Sequence, residues 1–519
     1  MRWVLACDHK RIGLLYVATG LFFTIVLGLS ALLLMLDLDH APGGLLDEFA
    51  HDQLATMEGT MALFCVGLPI ALGLASHLVP LQIGAKGVVF PRLNASAFWL
   101  FLAGSLLLLV SFATGDSSAD SPGAPLSPEG RQLWVLGLLF VSIAAAASSA
   151  ALLGTIGSRR APGVTPARAP IFVWASGLFA LVAIFSSAVT TITCAIFLID
   201  AGSADFFAFD VGSGGAAGFY ENQIWFLGQP LTYALLLPAL GAISELIPVF
   251  TRRPLRTRSL VLFGLFGVAA LALVIALFHL IADAFSESFF RSIPLAGFIV
   301  LIPVALAVVS WLDALRDARP PVAAPLLFAA GAAQLLVLGA VLGLVFGFPG
   351  DYQGLTSYQL TAHFQGTLAG GILLALLGGL HYWFPKLTGR ALDERMAKRQ
   401  FGLVFLGANV LLVGQHVVGE SGLGRAAASG EWTTGAKVGA GLSLAAFLLL
   451  FFGVAGFLAE SVKSLRSGKR VGNDPWLADT LEWYTASPPP EHNFDGLPPI
   501  ASARPLHDLR RRLGPGSRG

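Results

Sequence analysis

Residues 170 to 199 read Pro170-Ile-Phe-Val-Trp-Ala-Ser-Gly-Leu-Phe-Ala-Leu-Val-Ala-Ile-Phe-Ser-Ser-Ala-Val-Thr-Thr-Ile-Thr-Cys-Ala-Ile-Phe-Leu-Ile199, a stretch with no charged side chain. A helix of about 20 apolar residues crosses the hydrocarbon core of a bilayer. No water is present there to take up backbone N–H and C=O groups, which selects the helix, whose hydrogen bonds close within the segment. Similar runs recur outward on both sides, at 12–38, 54–80, 96–115, 132–157, 223–250, 259–282, 293–315, 323–347, 358–384, 401–419 and 438–461. With 170–199 they make twelve. Composition agrees, since 55% of the 519 residues are hydrophobic and 12% charged, about half the charged share of a soluble domain. The expected fold is an all-α integral membrane protein, a bundle of twelve transmembrane helices.

A net charge of +1 names no partner, but the placement of the charges is informative. With the N-terminus inside, 28 of the 32 Lys and Arg fall on the inner side, and only Arg131, Arg291, Arg425 and Lys437 fall outside. Inner segments of membrane proteins carry this Lys and Arg excess. A wrong number of spans would scramble the alternation, so it supports the count and puts both termini in the cytoplasm. The first apolar run is long and lacks a processing site, so no cleavable signal peptide is expected. Cys65 and Cys194 sit in apolar runs and read as small hydrophobes rather than ligands.

Residues 1–463 form one membrane domain, followed by a cytoplasmic tail over 464–519. The tail mixes Asp474-Pro-Trp476, Leu481-Glu-Trp483 and Pro488-Pro-Pro490, too little apolar material for a core of its own. It is expected to lie extended on the membrane domain, with a disordered end at Arg510-Arg-Arg512 and beyond.

Several stretches stand out in order along the chain. They are Asp8-His-Lys-Arg-Ile-Gly13, Leu78-Val-Pro-Leu-Gln-Ile-Gly-Ala85, Phe90-Pro-Arg-Leu-Asn94, Ile243-Ser-Glu-Leu-Ile-Pro-Val-Phe250, Tyr382-Trp-Phe-Pro-Lys-Leu-Thr-Gly389 and Ser487-Pro-Pro-Pro490. In these the chain resembles subunit I of the haem–copper oxidases, in the branch of bacterial and mitochondrial cytochrome c oxidases. The resemblance implies a twelve-helix fold in a bacterial plasma membrane and other respiratory membrane subunits as partners, with no nucleic acid. It also implies aerobic respiration, in which electrons pass from cytochrome c to dioxygen with proton translocation. Its cofactors would be two haems and a copper.

The resemblance also says where the ligands belong, and there the residues depart. A low-spin haem would be held by histidines on the second and tenth helices. This chain has Glu58 in Glu58-Gly-Thr60 and Gln365 in His363-Phe-Gln365. Copper would be held by a histidine at Gln229 in Gly228-Gln-Pro-Leu-Thr-Tyr233 and by a pair of histidines that reads Phe278-His279. His363 falls at the axial ligand of the oxygen-binding haem, Tyr233 is kept, and Arg425 remains as a propionate contact. The family's proton-path glutamate and lysine fall at Leu231 and Ala307. An imidazole nitrogen is a good donor to iron or copper, and an amide nitrogen, its lone pair delocalised, is a poor one.

The expectation is a pseudoenzyme with a degenerate haem site. Cofactors are expected to be none, or one haem at His363, with copper absent although His279 keeps one copper-ligand position. A non-catalytic or regulatory subunit is the leading function. A terminal oxidase with altered ligation and at most one haem on His363 is an alternative, and a proton or ion conduit through Glu58, His279, His363 and Gln365 is another. Glu58, buried, is expected to pair with Gln365. His77, His381 and His416 read as interfacial or structural, and Tyr382 and Trp383 as anchors at the membrane interface.

Overall fold

The computed structural model describes the backbone of residues 6–36, 45–46, 48–114, 128–202, 217–280, 293–347, 362–420 and 433–513. The helices are α1 (His9–Leu36), α2 (Glu48–Thr60), α3 (Leu68–Gln82), α4 (Pro91–Ser111), α5 (Pro128–Ser158), α6 (Ile171–Gly202) and α7 (Ala217–Thr251). They continue as α8 (Arg258–Leu280), α9 (Ile293–Leu315), α10 (Ala324–Gly347), α11 (Gly370–Thr388), α12 (Glu394–Glu420), α13 (Thr434–Ser467) and the short α14 (Pro505–Leu513). A π-helical stretch, Met61–Gly67, joins α2 to α3, and another, His363–Ala369, leads into α11, so each of these pairs makes one span. Among the described residues ten spans are long and apolar enough to cross a membrane, and α8 and α9 add shorter apolar stretches at Arg258–Val274 and Ile302–Leu315. Each of the twelve runs read from sequence thus holds a helix among its described residues.

Sequential neighbours pack side by side, α4 on α5, α5 on α6, α6 on α7, α10 on α11 and α12 on α13, and α1 also meets α13. Three spans form the interior. The apolar windows of Gln53–Gln82, Pro230–Thr251 and His363–Thr388 are 89%, 83% and 88% buried, whereas that of Thr434–Ser467 is 28% buried and faces outward. These inner spans are also the ones that carry Glu58, Leu231, Tyr233, His363 and Gln365.

Because lipid offers no hydrophobic drive between helices, close approach of backbones holds them together. A Cβ on Gly13 of α1 would sit 2.6 Å from the carbonyl oxygen of Gly73 on α3, and one on Gly73 would sit 2.6 Å from that of Gly13.

At the end of the bundle where α3 and α11 finish, the tail is docked through side chains. Gln82 Nε2 and Trp383 Nε1 both donate to Glu482 Oε1, at 3.0 and 3.3 Å. Trp483 Nε1 donates to the Tyr382 hydroxyl (3.0 Å), Trp476 Nε1 to the Tyr382 carbonyl (2.8 Å) and Lys386 Nζ to the Thr485 carbonyl (2.6 Å). The N-terminal segment joins the same layer, with Lys10 Nζ on Asn493 Oδ1 (2.9 Å) and Asn493 Nδ2 on the Ala85 carbonyl (2.7 Å).

This arrangement corrects one reading and adds to others. Tyr382 and Trp383 are 1% and 0% exposed, so they are core residues under the tail rather than interface anchors. Of the two roles read for them, His77 and His381 take the structural one: both are buried, and His381 shares a 3.0 Å hydrogen bond with Gln400 Oε1. The last membrane helix runs on to Ser467, past the end of the apolar run read over 438–461. Arg510 is ordered in α14, paired with Asp479 (2.6 Å) and Asp474 (3.2 Å); these acids are distant in sequence, so composition alone hid the pairing.

Burial holds the Glu482 carboxyl above its ordinary 4.5, with Glu245 and Lys386 near it. The folded chain therefore binds that proton more tightly than the unfolded chain, and this contribution fades as pH rises above the ordinary value. Limited proteolysis should release the tail faster at ~pH 8 than at ~pH 5, and Glu482→Gln should flatten the difference. A helix-crossing test is Gly73→Leu, expected to cost about 1–3 kcal/mol of stability by overpacking and to lower the unfolding temperature.

Candidate functional site

The second span delivers Glu58 one turn before the Met61–Gly67 π stretch. Glu58 is 5% exposed, and Thr60 Oγ1 beside it accepts from Trp134 Nε1 of α5 at 3.3 Å. A Cβ on Gly59 would meet nothing within 4 Å, so the backbone there borders open space. The tenth span places His363, Phe364 and Gln365 inside the second π stretch. A Cβ on Gly366 would lie 2.7 Å from Leu412 Cβ, so a glycine lets this stretch press against α12. π turns are rare and recur at functional sites, because the wider turn rotates the following side chains relative to an α-helix. Both fall on spans that sequence reading had singled out, though it foresaw neither.

Gln365 Oε1 accepts a 2.9 Å hydrogen bond from Gln415 Nε2 of α12. The expected partner was Glu58; Gln415 reaches the amide because Gly366 brings α12 close. His416, next in sequence, donates from Nδ1 to the Leu412 carbonyl at 2.8 Å and is within electrostatic reach of His363. The polar set on this side is therefore His363, Gln365, Gln415 and His416. Sequence reading gave His416 as interfacial or structural, and no local pattern in α12 marks it or Gln415 as a neighbour of Gln365.

On α7, Tyr233 is partly buried against the core and Thr232 Oγ1 donates to the Gly228 carbonyl at 3.0 Å. Leu231 is 3% exposed and lines a small cavity with Ser142, Ser186, Ser187 and Thr190. Ser142 Oγ is buried there without a hydrogen-bond partner among the described residues, a state a bound water ordinarily completes. Ala307 is buried in α9, where Trp311 Nε1 donates to Ser244 Oγ of α7 at 3.0 Å. The side chains of Gln229, Phe278 and His279 lie outside the described residues, as does Arg425. Among the described residues no three of His, Cys, Asp and Glu are gathered as a metal would require.

The chain matches the family described as Cytochrome C and Quinol oxidase polypeptide I over residues 11–458. The chain belongs to that family. It is 33% identical to the probable cytochrome c oxidase subunit 1-beta of Nocardia farcinica, covering 98% of this chain and 88% of the relative. It is 34% identical to cytochrome c oxidase subunit 1 of Corynebacterium glutamicum (97% and 87% covered), and 32% identical to that of Bacillus subtilis (96% and 81% covered). Membership in the haem–copper oxidase subunit I family and a multi-pass membrane fold related to bacterial oxidases are thereby established. Members of this family normally bind haems and copper.

Losing one member of this partly buried amide pair leaves the other without its partner, at a cost of up to about 1–3 kcal/mol. Gln415→Leu should therefore lower the unfolding temperature. Adding Gln365→Leu should recover part of that loss, and a double-mutant cycle reads the coupling.

Proposed function

We propose that the chain is the subunit I component of an oxidase-type respiratory assembly that holds at most one haem. It would sit in a bacterial plasma membrane with both termini cytoplasmic and with other respiratory membrane subunits as partners. The observation that carries this is the similarity to oxidase subunit I along nearly the whole chain. Two chemistries fit such a role. The relatives, named as cytochrome c oxidase subunits, weigh toward a terminal oxidase with altered ligation, moving electrons from cytochrome c to dioxygen.

The donor set limits that activity. A carboxylate at Glu58 and an amide at Gln365 do not fit a low-spin haem, which takes two strong-field nitrogen or sulfur ligands. An amide at Gln229 and a phenyl at Phe278 leave His279 alone, and one imidazole does not fit copper. His363 fits a single haem as axial ligand, with Arg425 for a propionate, and a haem bound there supplies electron transfer and oxygen binding. The chain's own contribution would be to orient it through His363 and to exclude water with the packed α11 and α12.

A non-catalytic or regulatory subunit is the second reading. It is supported by the Gln415–Gln365 bond, which spends the amide on a protein partner, and by apolar Leu231 and Ala307 at the two proton-path positions. Haem extraction and metal analysis of the purified chain test the common core, with at most one haem per chain and no stoichiometric copper expected. His363→Ala should remove any Soret band. Oxygen consumption by the wild type separates the readings, and two bound porphyrins would sink both.

A further inference from the structure

The arginines at the inner end of the bundle differ in one respect. Arg504 and Arg510 each pair with Asp479 at 2.6 Å. Arg252 and Arg253 follow directly on the α7 span that ends at Thr251, and they meet carbonyls and no carboxylate among the described residues. Arg252 Nη1 donates to the Trp476 and Leu477 carbonyls at 2.7 and 3.0 Å. Arg253 Nη1 donates to the Arg316 carbonyl and Nη2 to the Asp317 carbonyl, the second at 3.2 Å. Both side chains are exposed. A guanidinium is a rigid plane of N–H groups, so the carbonyls pin each plane while the edge carrying Nε–H stays open. Such an edge binds two oxygens of one phosphate or carboxylate.

The charge around them calls for an anion. Residues 252–258 hold four arginines and no acid, and residues 316–322 hold Arg316 and Arg319 against Asp317 alone. Their place selects which anion. Ser310 Oγ donates to the Thr257 carbonyl at 3.2 Å, which holds the first of these loops against α9. From the loops into the membrane, α9 exposes Leu312, Val309 and Ile302 by 59%, 54% and 60%. Arg316, four residues past Leu312, continues the same face. On α8, Phe263 is 70% exposed. A Cβ on the adjacent Gly264 would sit 2.6 Å from the Pro303 carbonyl oxygen, so α8 and α9 touch along this stretch. A pinned cation where the apolar span stops, heading an apolar stripe, matches a lipid with a charged head and acyl chains.

We infer that Arg253, supported by the charges of Arg252 and Arg316, binds the phosphate of an anionic phospholipid of the inner leaflet. The acyl chains lie along the Leu312–Val309–Ile302 stripe of α9, beside Phe263. The site depends on the membrane fold alone and not on whether the chain holds a haem.

The test takes the full chain from native membranes, strips loosely held lipid with detergent, and adds phosphatidylglycerol, phosphatidylcholine or inorganic phosphate in turn. Native mass spectrometry counts what stays bound. Phosphatidylglycerol should be retained about fivefold or more over zwitterionic phosphatidylcholine, and inorganic phosphate should not displace it. Arg253→Gln should lower retention about fivefold, the loss of one basic contact at an anionic headgroup. Leu312→Gln, which breaks no hydrogen bond, should lower it too, while Arg466→Gln at the end of α13 should leave it unchanged. Unfolding temperatures in lipid-free detergent separate loss of the site from loss of the fold, and if Arg253→Gln unfolds, Leu312→Gln decides. Equal retention of the two lipids, or retention indifferent to both site variants, overturns the inference. Displacement of the lipid by inorganic phosphate also overturns it and assigns the arginines to a soluble phosphate.

Discussion

Hydrocarbon supplies no hydrogen bonds, and each polar group in the bundle must find a partner made of protein. This condition forces the twelve helices, and it also governs where they start. A helix start exposes backbone N–H groups, and at three starts an acid from a neighbouring segment takes one. Glu245 Oε1 accepts from Phe172 N at the head of α6 (3.2 Å), Glu394 Oε1 from Ala324 N at α10 (2.8 Å) and Glu460 Oε1 from Asp393 N just before α12 (3.3 Å). The charged end of each helix dipole is satisfied where the membrane core stops.

The tail extends the same logic. Carbonyls left open where the loops turn are met by arginines of that face. Arg252 donates to the Trp476 and Leu477 carbonyls, Arg258 to those of Ala167 and Ala169, and Arg390 to that of Gly468. Buried Lys386 and Lys10 donate to tail carbonyls in the same way. The basic residues counted for orientation thus have a structural use. They turn a set of polar loop ends into a layer that closes one end of the bundle, which is why a segment without its own core is ordered through α14.

What was legible in the sequence follows from this. Spans such as 170–199 announced themselves because lipid demands an unbroken apolar run, and each of the twelve runs holds a helix among its described residues. The positions of Glu58, His363 and Gln365 on inner spans were legible through resemblance to a family whose motifs survive around them. Contacts between distant segments were not. Trp383 reads as an interface anchor because an aromatic at a span end usually is one, and only the docked tail, about a hundred residues later, makes it core. Gln415 as the partner of Gln365 was hidden because it depends on Gly366 letting two helices touch. The π turns carry no hydrophobic signature, since one added residue in a turn does not change the composition of a span.

The amide pair also bears on how such a site could be remade. An imidazole offers a metal an in-plane lone pair on a neutral ring, while a glutamine side chain is best at pairing with another amide. Gln365 and Gln415 do this between the His363–Ala369 π stretch and α12, and the bond ties an inner span to an outer one. Restoring histidine at 365 alone would strand Gln415 Nε2 in a buried setting, so the two positions are energetically linked. The amide at 365 thus serves packing between helices.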